Sequence, residues 1–533
     1  MTVRNYALCS TLSSFAFLAC SLAAQAPRSY AGKPYQGRAQ IIPGRIQAEL
    51  YDTGGQAVAY NDSDPVNNGS GRLNTGDSDL DRFRQDEGVD ISYTKRGLDT
   101  TYDGGSEKYG ELYLGWTEPG EWVKYTVDVK ASGMYKMTAH ISSKNPGGQI
   151  AIAFDGIDQL GPVTLTTTED YHRWRVANLG QVRLEKGTHV MTLSIVKGGL
   201  INVDYVKFAP VTDPPPQPKF STRFQTVEAF EQVRRMHRGV NIIGYDPLWD
   251  NVEDARFKQR YFQLIHDGGF QTVRVALHAF GHMDAENRLD PEWLRTLDWV
   301  VKNSVANGLM AILDLHNYND CGKDAAGCAP RLRAFWRQIS ERYKNAPASV
   351  LFEILNEPGR QITPELWNNE LKDALAIIRQ TNPTRTVIIG PASFNSIQFL
   401  DKLELPADDR NLIVTVHYYL PSAFTHQGAW WNAANKDRSG ITWGADAEKH
   451  AVEEDFAGVQ QWSKNQKRPI LLGEFGAYDK APMESRERYT AFVARTAESL
   501  GWAWTYWQFD SDFIVYNIDK DEWVQPIWKA LVP

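Results

Sequence analysis

Apolar and polar positions follow two different patterns along this chain, and the change falls just after residue 210. From Ile41 to Pro210, runs such as EWVKYTVDV, YKMTAHISS, QIAIAFDG and HVMTLSIVKG are strand-like, and most alternate apolar with polar. That period of two belongs to strands with one wet face. Gly, Asn and Asp punctuate the runs, and many short strands at this spacing predict an all-β sandwich over 38–210. VTDPPPQPK, residues 211–219, is Pro-rich. It predicts an extended, semi-rigid linker that keeps the front domain at a distance from the rest of the chain. From about 220, continuous apolar runs alternate with helical stretches, the signature of parallel βα units. The strand candidates are RGVNIIG (238–244), QTVRVAL (271–277), LMAILDLH (309–316), SVLFEILNE (349–357), TVIIGPA (386–392), LIVTVHYYL (412–420), PILLGEFG (469–476) and WAWTYWQF (502–509). Eight strands with intervening helices predict a (β/α)8 barrel over 220–533. The expected fold is therefore multidomain: a jelly-roll-like β-sandwich followed by a TIM barrel.

The first residues follow neither pattern. Arg4 precedes an apolar, small-residue-rich stretch from Ala7 to Ala24, and Ala24-Gln25-Ala26 resembles a cleavage site. Residues 1–26 read as a secretory signal. Phe17-Leu18-Ala19-Cys20 offers a lipid anchor at Cys20 as the alternative. No later apolar run reaches the eighteen or so residues of a membrane-spanning helix, so the mature chain is expected to be secreted. Outside the leader only Cys321 and Cys328 remain, seven apart in a predicted loop. In an exported chain such a pair suggests a local disulfide; two Cys without two further ligands make a poor zinc site. The net charge of −8, with no long basic run, argues against nucleic acid or anionic membrane as partner. The expected protein is a monomer.

The candidate chemistry sits where the barrel strands end. In LFEILNEPGR, Leu351, Phe352, Ile354 and Leu355 form a short apolar run, and Pro358 stops the ladder because it has no N–H to donate. Glu357 then stands at the C-terminal mouth of the strand, the end at which barrels carry catalytic groups. PILLGEFGAY repeats the arrangement 117 residues later with Glu474. A lone strand-end Glu is more often an Arg partner, but two in NEP and GEFG contexts are what glycosidic bond hydrolysis requires. Reading polar residues off all the strand ends gives Arg274, His316, Asn356, Glu357, His417, Tyr419, Glu474 and Trp507. Trp507 has Trp502, Trp504 and Tyr506 as near rivals, and Arg274 could be a core counter-ion. Glu353 reads as a buried structural carboxylate, and His278 and His426 as loop histidines. Trp430-Trp431 could wall a subsite or pack on the barrel. In this scheme burial or the second carboxylate raises the pKa of Glu357, while Arg274 and Tyr419 favour ionised Glu474. Asn356 would bond a sugar 2-hydroxyl, and Trp507 would form a floor under the ring.

RVAL, LDLHN, LFEILNEP, VTVHYY, LLGEFG and TYWQF occur in one order over 230–533, and that set resembles glycoside hydrolase family 5, the cellulase-containing family. The resemblance implies Glu357 as acid/base and Glu474 as nucleophile, with the other six residues in supporting positions and no cofactor for catalysis. IQAELYD, LGWTEPGEWVKYTVDV, YHRW and GGLINVDYVKF resemble carbohydrate-binding module family 6 over most of 40–210. That resemblance implies Trp116 and Tyr171 as sugar-stacking aromatics, Asn202 as a sugar-binding amide, and Gln47, Glu49 and Asp204 as a structural Ca2+ site. Trp122 and Trp174 read as core, and the long segment 60–110 has no assigned role. Together these imply a secreted, retaining endo-β-1,4-glucanase acting on β-glucan-type polysaccharide. Mannan, xyloglucan or mixed-linkage glucan is the alternative substrate. A non-catalytic glycan-binding protein is the rival from another class.

Overall fold

The computed structural model describes residues 30–95, 109–159, 161–250 and 252–533. The leader expected at 1–26, Cys20 included, lies outside the described residues.

Two antiparallel-rich sheets face each other in the front half. One runs Gln40–Ile42, Trp122–Val129, Gly187–Lys197, Gln149–Phe154 and Val163–Thr164. The other runs Arg175–Leu184, Gly133–Ser143, Ile201–Pro210, Leu112–Leu114 and Ile91–Tyr93, with Gly44–Gln47 also on Ile201–Pro210. Strict alternation is visible in Trp122–Val129, where every second residue is buried, and these buried residues form a core of their own. Of the segment without a sequence assignment, 62–90 is mostly irregular and pinned by polar contacts. The Asn67 side-chain oxygen accepts from the backbone N–H groups of Gly69, Ser70 and Ile91, which satisfies a turn buried among polar groups.

In the second half, β1 (Arg238–Ile242), β2 (Thr272–Leu277), β3 (Met310–Leu315), β4 (Val350–Glu353), β5 (Val387–Ile389), β6 (Leu412–Tyr418), β7 (Ile470–Phe475) and β8 (Ala503–Tyr506) close into a parallel barrel. Each predicted run contains one of these strands and is longer than it; the run 349–357 overshoots most, because after Glu353 the chain leaves the ladder for the site. Both faces of β2, β3, β6 and β7 are buried along their whole length, which is why they read as unbroken apolar runs. Helix α1 (Ala229–Met236) closes the bottom. Its Ala229, Val233 and Met236 pack with the inward Met310, Ile312, Leu351, Ile388, Ile413, Leu471 and Ala503. Burial of each large side chain here is worth about 1.5–3 kcal/mol. Further up β2, β3 and β4, side chains of the same inward face are charged: Arg274, Asp314 and Glu353, all essentially inaccessible.

The two domains touch, contrary to the expectation of a spacer between them. Arg295 donates to Thr212, Arg342 donates to the carbonyls of Pro215 and Pro216, and Gln217 donates to the carbonyl of Glu341. The Pro-rich segment thus lies along the barrel. The sandwich reaches the barrel directly through Arg45 with Asp254, Lys136 with Asp290 and Glu169 with Lys323. Cys321 and Cys328 form a disulfide, but they lie in two short-spaced helices, Tyr318–Lys323 and Ala325–Arg342, where the sequence suggested a loop.

Candidate active site

Two local devices aim the carboxylates. In β7 the pairing with β6 skips Gly473, so that Val416 faces Leu472 but His417 faces Glu474. This bulge inserts one residue and turns Glu474 to the inward face. Only glycine fits there, because a Cβ on Gly473 would lie 2.4 Å from the Thr415 hydroxyl. Glu357 stands just beyond β4 with φ 44°, a left-handed conformation that a non-glycine residue adopts only when its surroundings impose it.

Glu357, His417 and Glu474 each offer an atom within 4.8 Å of the others. The carboxylates therefore face each other across one gap, with 16% of the Glu357 side chain and 6% of the Glu474 side chain accessible. Arg274 organises the layer beneath. It grips Glu353 in a fork of 2.8 and 2.7 Å, donates to Glu474 at 2.7 Å, to Asn356 at 2.8 Å and to Asn241 at 2.9 Å, and lies 3.0 Å from Asp314. It is both a core counter-ion and a contact of Glu474. Tyr419 donates its hydroxyl to the other oxygen of Glu474 at 3.0 Å. Asn356, fixed by Arg274 on its oxygen, points its amide nitrogen at His316 Nε2, 3.3 Å away, while His316 Nδ1 meets Asp314 at 2.6 Å. His417 is held likewise: Asn395 Nδ2 donates to its Nε2 at 3.1 Å, leaving Nδ1–H to donate to Glu357 at 2.8 Å. Burial pushes the His417 pKa down to about 4, so the ring is neutral and this tautomer is consistent. Trp507 stacks flat on His316, 5.4 Å between ring centres and 8° between planes. Trp504 and Tyr506 are wholly buried in the core and Trp502 nearly so.

Electrostatics separate the two acids. Burial drives Glu357 up to about 8, helped by Asp314 and Glu353 and opposed by Arg274. Burial also lifts Glu474, but only to about 7, because His417 and Arg274 offset it. Arg274 and Tyr419 both donate to Glu474, which favours Glu474 as the carboxylate and leaves Glu357 as the acid. The same trio is compact enough to ligate a metal, but the Arg274 cation bonded to Glu474 places positive charge where a metal would sit.

All eight sequence candidates meet here. The sequence reading passed over Asn241, Asp314, Asn395 and Tyr318, the last edge-on to His316. Asp314 shares strand parity with His316, which was the available signal, whereas Asn241 lies level with Arg274 on the neighbouring strand, a pairing that one strand's sequence does not show. Asn395 lies in a turn with positive φ at Ser393, Phe394 and Asn395, which no periodic pattern announces. His278 and His426 do lie in loops, and from there they pack against the site: His278 edge-on to His316, and His426 against Tyr419. Trp430 and Trp431 remain 39% and 41% exposed and wall a cleft above the site.

The model of the cellulase family, glycosyl hydrolase family 5, matches residues 233–512, just over half of the chain. The chain belongs to glycoside hydrolase family 5. A second model, for carbohydrate-binding module family 6, matches residues 88–210, whereas the sandwich itself starts at Gln40–Ile42. Endoglucanase H of Acetivibrio thermocellus is 32% identical over 320 residues, which are 58% of this chain and 34% of that protein. Endoglucanase A of Clostridium longisporum is 29% identical over 285 residues, 50% of this chain and 53% of that protein. The chain thus spans about half or less of the length of these relatives. Among solved structures, Cel5A of Thermotoga maritima with mannotriose superposes with a TM-score of 0.55 at 36% identity, covering 57% of this chain and 100% of that one. The same enzyme has been seen with cellobiose.

In the family 6 module, Asn202 is buried and gives its amide to the Ser142 hydroxyl at 3.1 Å and the Tyr171 carbonyl at 2.7 Å. It therefore holds the Tyr171 loop in place. Trp116 and Tyr171 are half-buried. Trp174, expected in the core, is buried but lies outside the sandwich core, stacked on the outer-face His140 and lining the cleft toward the barrel, and Trp122 is only half-buried, with Lys124 over its ring. For a cation, Gln47 Oε1 and Glu49 Oε2 are buried with no partner among the described residues. Asp204 and Glu111 help burial push Glu49 up to about 8. Orphaned oxygens beside a second carboxylate fit Ca2+, which takes oxygen ligands, although Asp204 also meets His140 Nδ1 at 2.7 Å.

Proposed function

We propose that the protein is an exported endo-β-1,4-glucanase that hydrolyses by double displacement with retention of configuration. One observation carries the mechanism: an oxygen of Glu357 lies within 4.8 Å of one on Glu474. Retaining enzymes hold their carboxyls about 5–5.5 Å apart, and inverting ones leave about 6.5–9.5 Å for a water. Ionised Glu474 attacks the anomeric carbon while the bond to the leaving oxygen breaks and protonated Glu357 supplies that oxygen's proton. Glu357, now a carboxylate, takes a proton from water, whose oxygen displaces Glu474 and restores the β-anomer. Asn356, oriented by Arg274, is set to donate to the 2-hydroxyl, and Trp507 to lie under a ring. No step needs a cofactor. The family 6 module would raise the local concentration of polysaccharide, with Gln47, Glu49 and Asp204 as ligands for Ca2+. Export is supported by the leader pattern and by the Cys321–Cys328 disulfide, a bond of oxidising compartments.

Early-product NMR on a soluble β-glucan should show the β-anomer first; initial α-anomer would refute double displacement. Glu357→Gln and Glu474→Gln should each lower kcat by at least about a thousandfold, since each removes a reacting group. The Thermotoga maritima enzyme was seen with both mannotriose and cellobiose, so mannan is the second reading. Reducing-sugar release from a panel of purified polysaccharides separates the two.

A further inference from the structure

We propose that the front module forms part of the catalytic cleft, supplying sugar-binding subsites to the chain being cut. This rests on the glucanase reading above. The outer face of the sheet carrying Gly133–Ser143, Arg175–Leu184 and Ile201–Pro210 is turned toward the catalytic end of the barrel. Three ion pairs hold it there: Arg45 with Asp254, Lys136 with Asp290, and Glu169 with Lys323 at 3.0 Å. The barrel residues involved follow β1, β2 and β3. On the far side of the mouth, after β6, the Arg173 guanidinium lies over the Trp430 ring at 4.8 Å. The module therefore bridges the barrel mouth from one side to the other.

Between the two domains lies a cleft of about 1010 Å³ lined by both, at the upper end of what one drug-sized ligand fills. Its floor adjoins two supporting residues of the active site: lining residue His278 packs on His316 at 5.2 Å, and lining residue Tyr245 packs on Trp507 at 6.1 Å. Tyr245, Trp430 and Trp431 keep more than a third of their surfaces open; Tyr245, Trp431 and the Trp430 face not covered by Arg173 offer platforms for the apolar faces of sugar rings. Opposite them the module presents Glu169, Arg173 and Trp174. The Trp174 indole N–H is buried with no acceptor among the described residues. Trp116, Tyr171 and Asn202 do not line this cleft, so the surface is distinct from the module's expected sugar site. Exposed rings and hydrogen-bonding groups lining one cleft suit a neutral β-linked glucan chain running on from the cleavage point.

The test uses soluble substrates, so that tethering to insoluble polysaccharide plays no part. Lys136→Glu sets two carboxylates against each other at the domain contact, and Lys136 does not line the cleft. Its kcat/KM on cellohexaose should fall about tenfold, the loss of one to two charged hydrogen bonds or their equivalent. On an aryl β-cellobioside, too short to reach the module, it should match wild type. Unchanged cellohexaose cleavage with the module displaced in solution scattering would overturn the proposal. If scattering shows Lys136→Glu still docked, Arg173→Ala decides. In the Glu474→Gln background it should weaken calorimetric binding of cellohexaose about fivefold or more, and equal binding would overturn the proposal. Failure of the wild-type protein to cleave any β-glucan would instead sink the glucanase reading.

Discussion

At the scale of single residues, Glu357 shows how a site draws on the stability of its fold. Its ordinary pKa of 4.5 is pushed to about 8, chiefly by burial. Between those values the native protein holds a proton that the unfolded chain has released. The stabilisation is complete below the unfolded value and is lost as pH rises through about 8. Above pH 8 the native state must keep a carboxylate against Asp314 and Glu353, in a place that resists charge. Glu357→Gln keeps the shape and removes the ionisation. It should match wild type in melting temperature at pH 4 and exceed it at pH 9 by on the order of 1–3 kcal/mol, roughly 2–4 °C per kcal/mol. Calorimetry at the two pH values measures this. An equal offset at both would mean that Glu357 is not held protonated.

At the scale of elements, the barrel strands were legible because burial on both faces writes a plain apolar run, and a polar residue ending such a run is conspicuous. Glu357, Glu474, His316 and His417 could be read for that reason. The supporting layer was harder to see. Glu353 could be read as a buried structural carboxylate, but Asp314 lies inside an apolar run, where one charge reads as an exception until Arg274 is known to meet both. Asn395 comes from an irregular turn, and the bulge at Gly473 is a pairing event that a single strand's sequence does not contain. In the sandwich the strands were visible but their contacts were not: Asn202, which reads as a sugar ligand, also gives its amide nitrogen to the Tyr171 loop. The Gly44–Gln47 strand and the turn after it bring Gln47 and Glu49 beside Asp204 of Ile201–Pro210. If Ca2+ joins these oxygens, a chelator should lower the melting temperature of the sandwich. Excess Ca2+ should restore it, by about 2.7 kcal/mol at a hundred times the dissociation constant. Glu49→Gln should abolish the response, and a chelator without effect on wild type would remove the cation from this site.

At the scale of the molecule, the segment between the domains acts as a strap. A free nine-residue Pro-rich linker would let the domains move independently; here Arg295, Arg342 and the chain near Glu341 hold four of its residues. Arg342 is the key contact, since it also forks onto Asp298 inside the barrel and so cannot swing away with the linker. Cutting at Lys219, the exposed basic residue at the strap's end, requires a protease to lift several residues off this surface. Native protein should therefore resist trypsin there. Arg342→Gln should admit it, since it removes the donors to Pro215 and Pro216 while Tyr343 still bonds Asp298 at 2.8 Å. Cleavage should yield two fragments, the sandwich and the barrel, at a rate raised about tenfold or more if two hydrogen bonds to a charged group are lost. Rapid cleavage of the wild type at Lys219 would show an unanchored strap, and the domain arrangement would then rest on the direct contacts between sandwich and barrel, the three ion pairs and the Arg173–Trp430 contact among them.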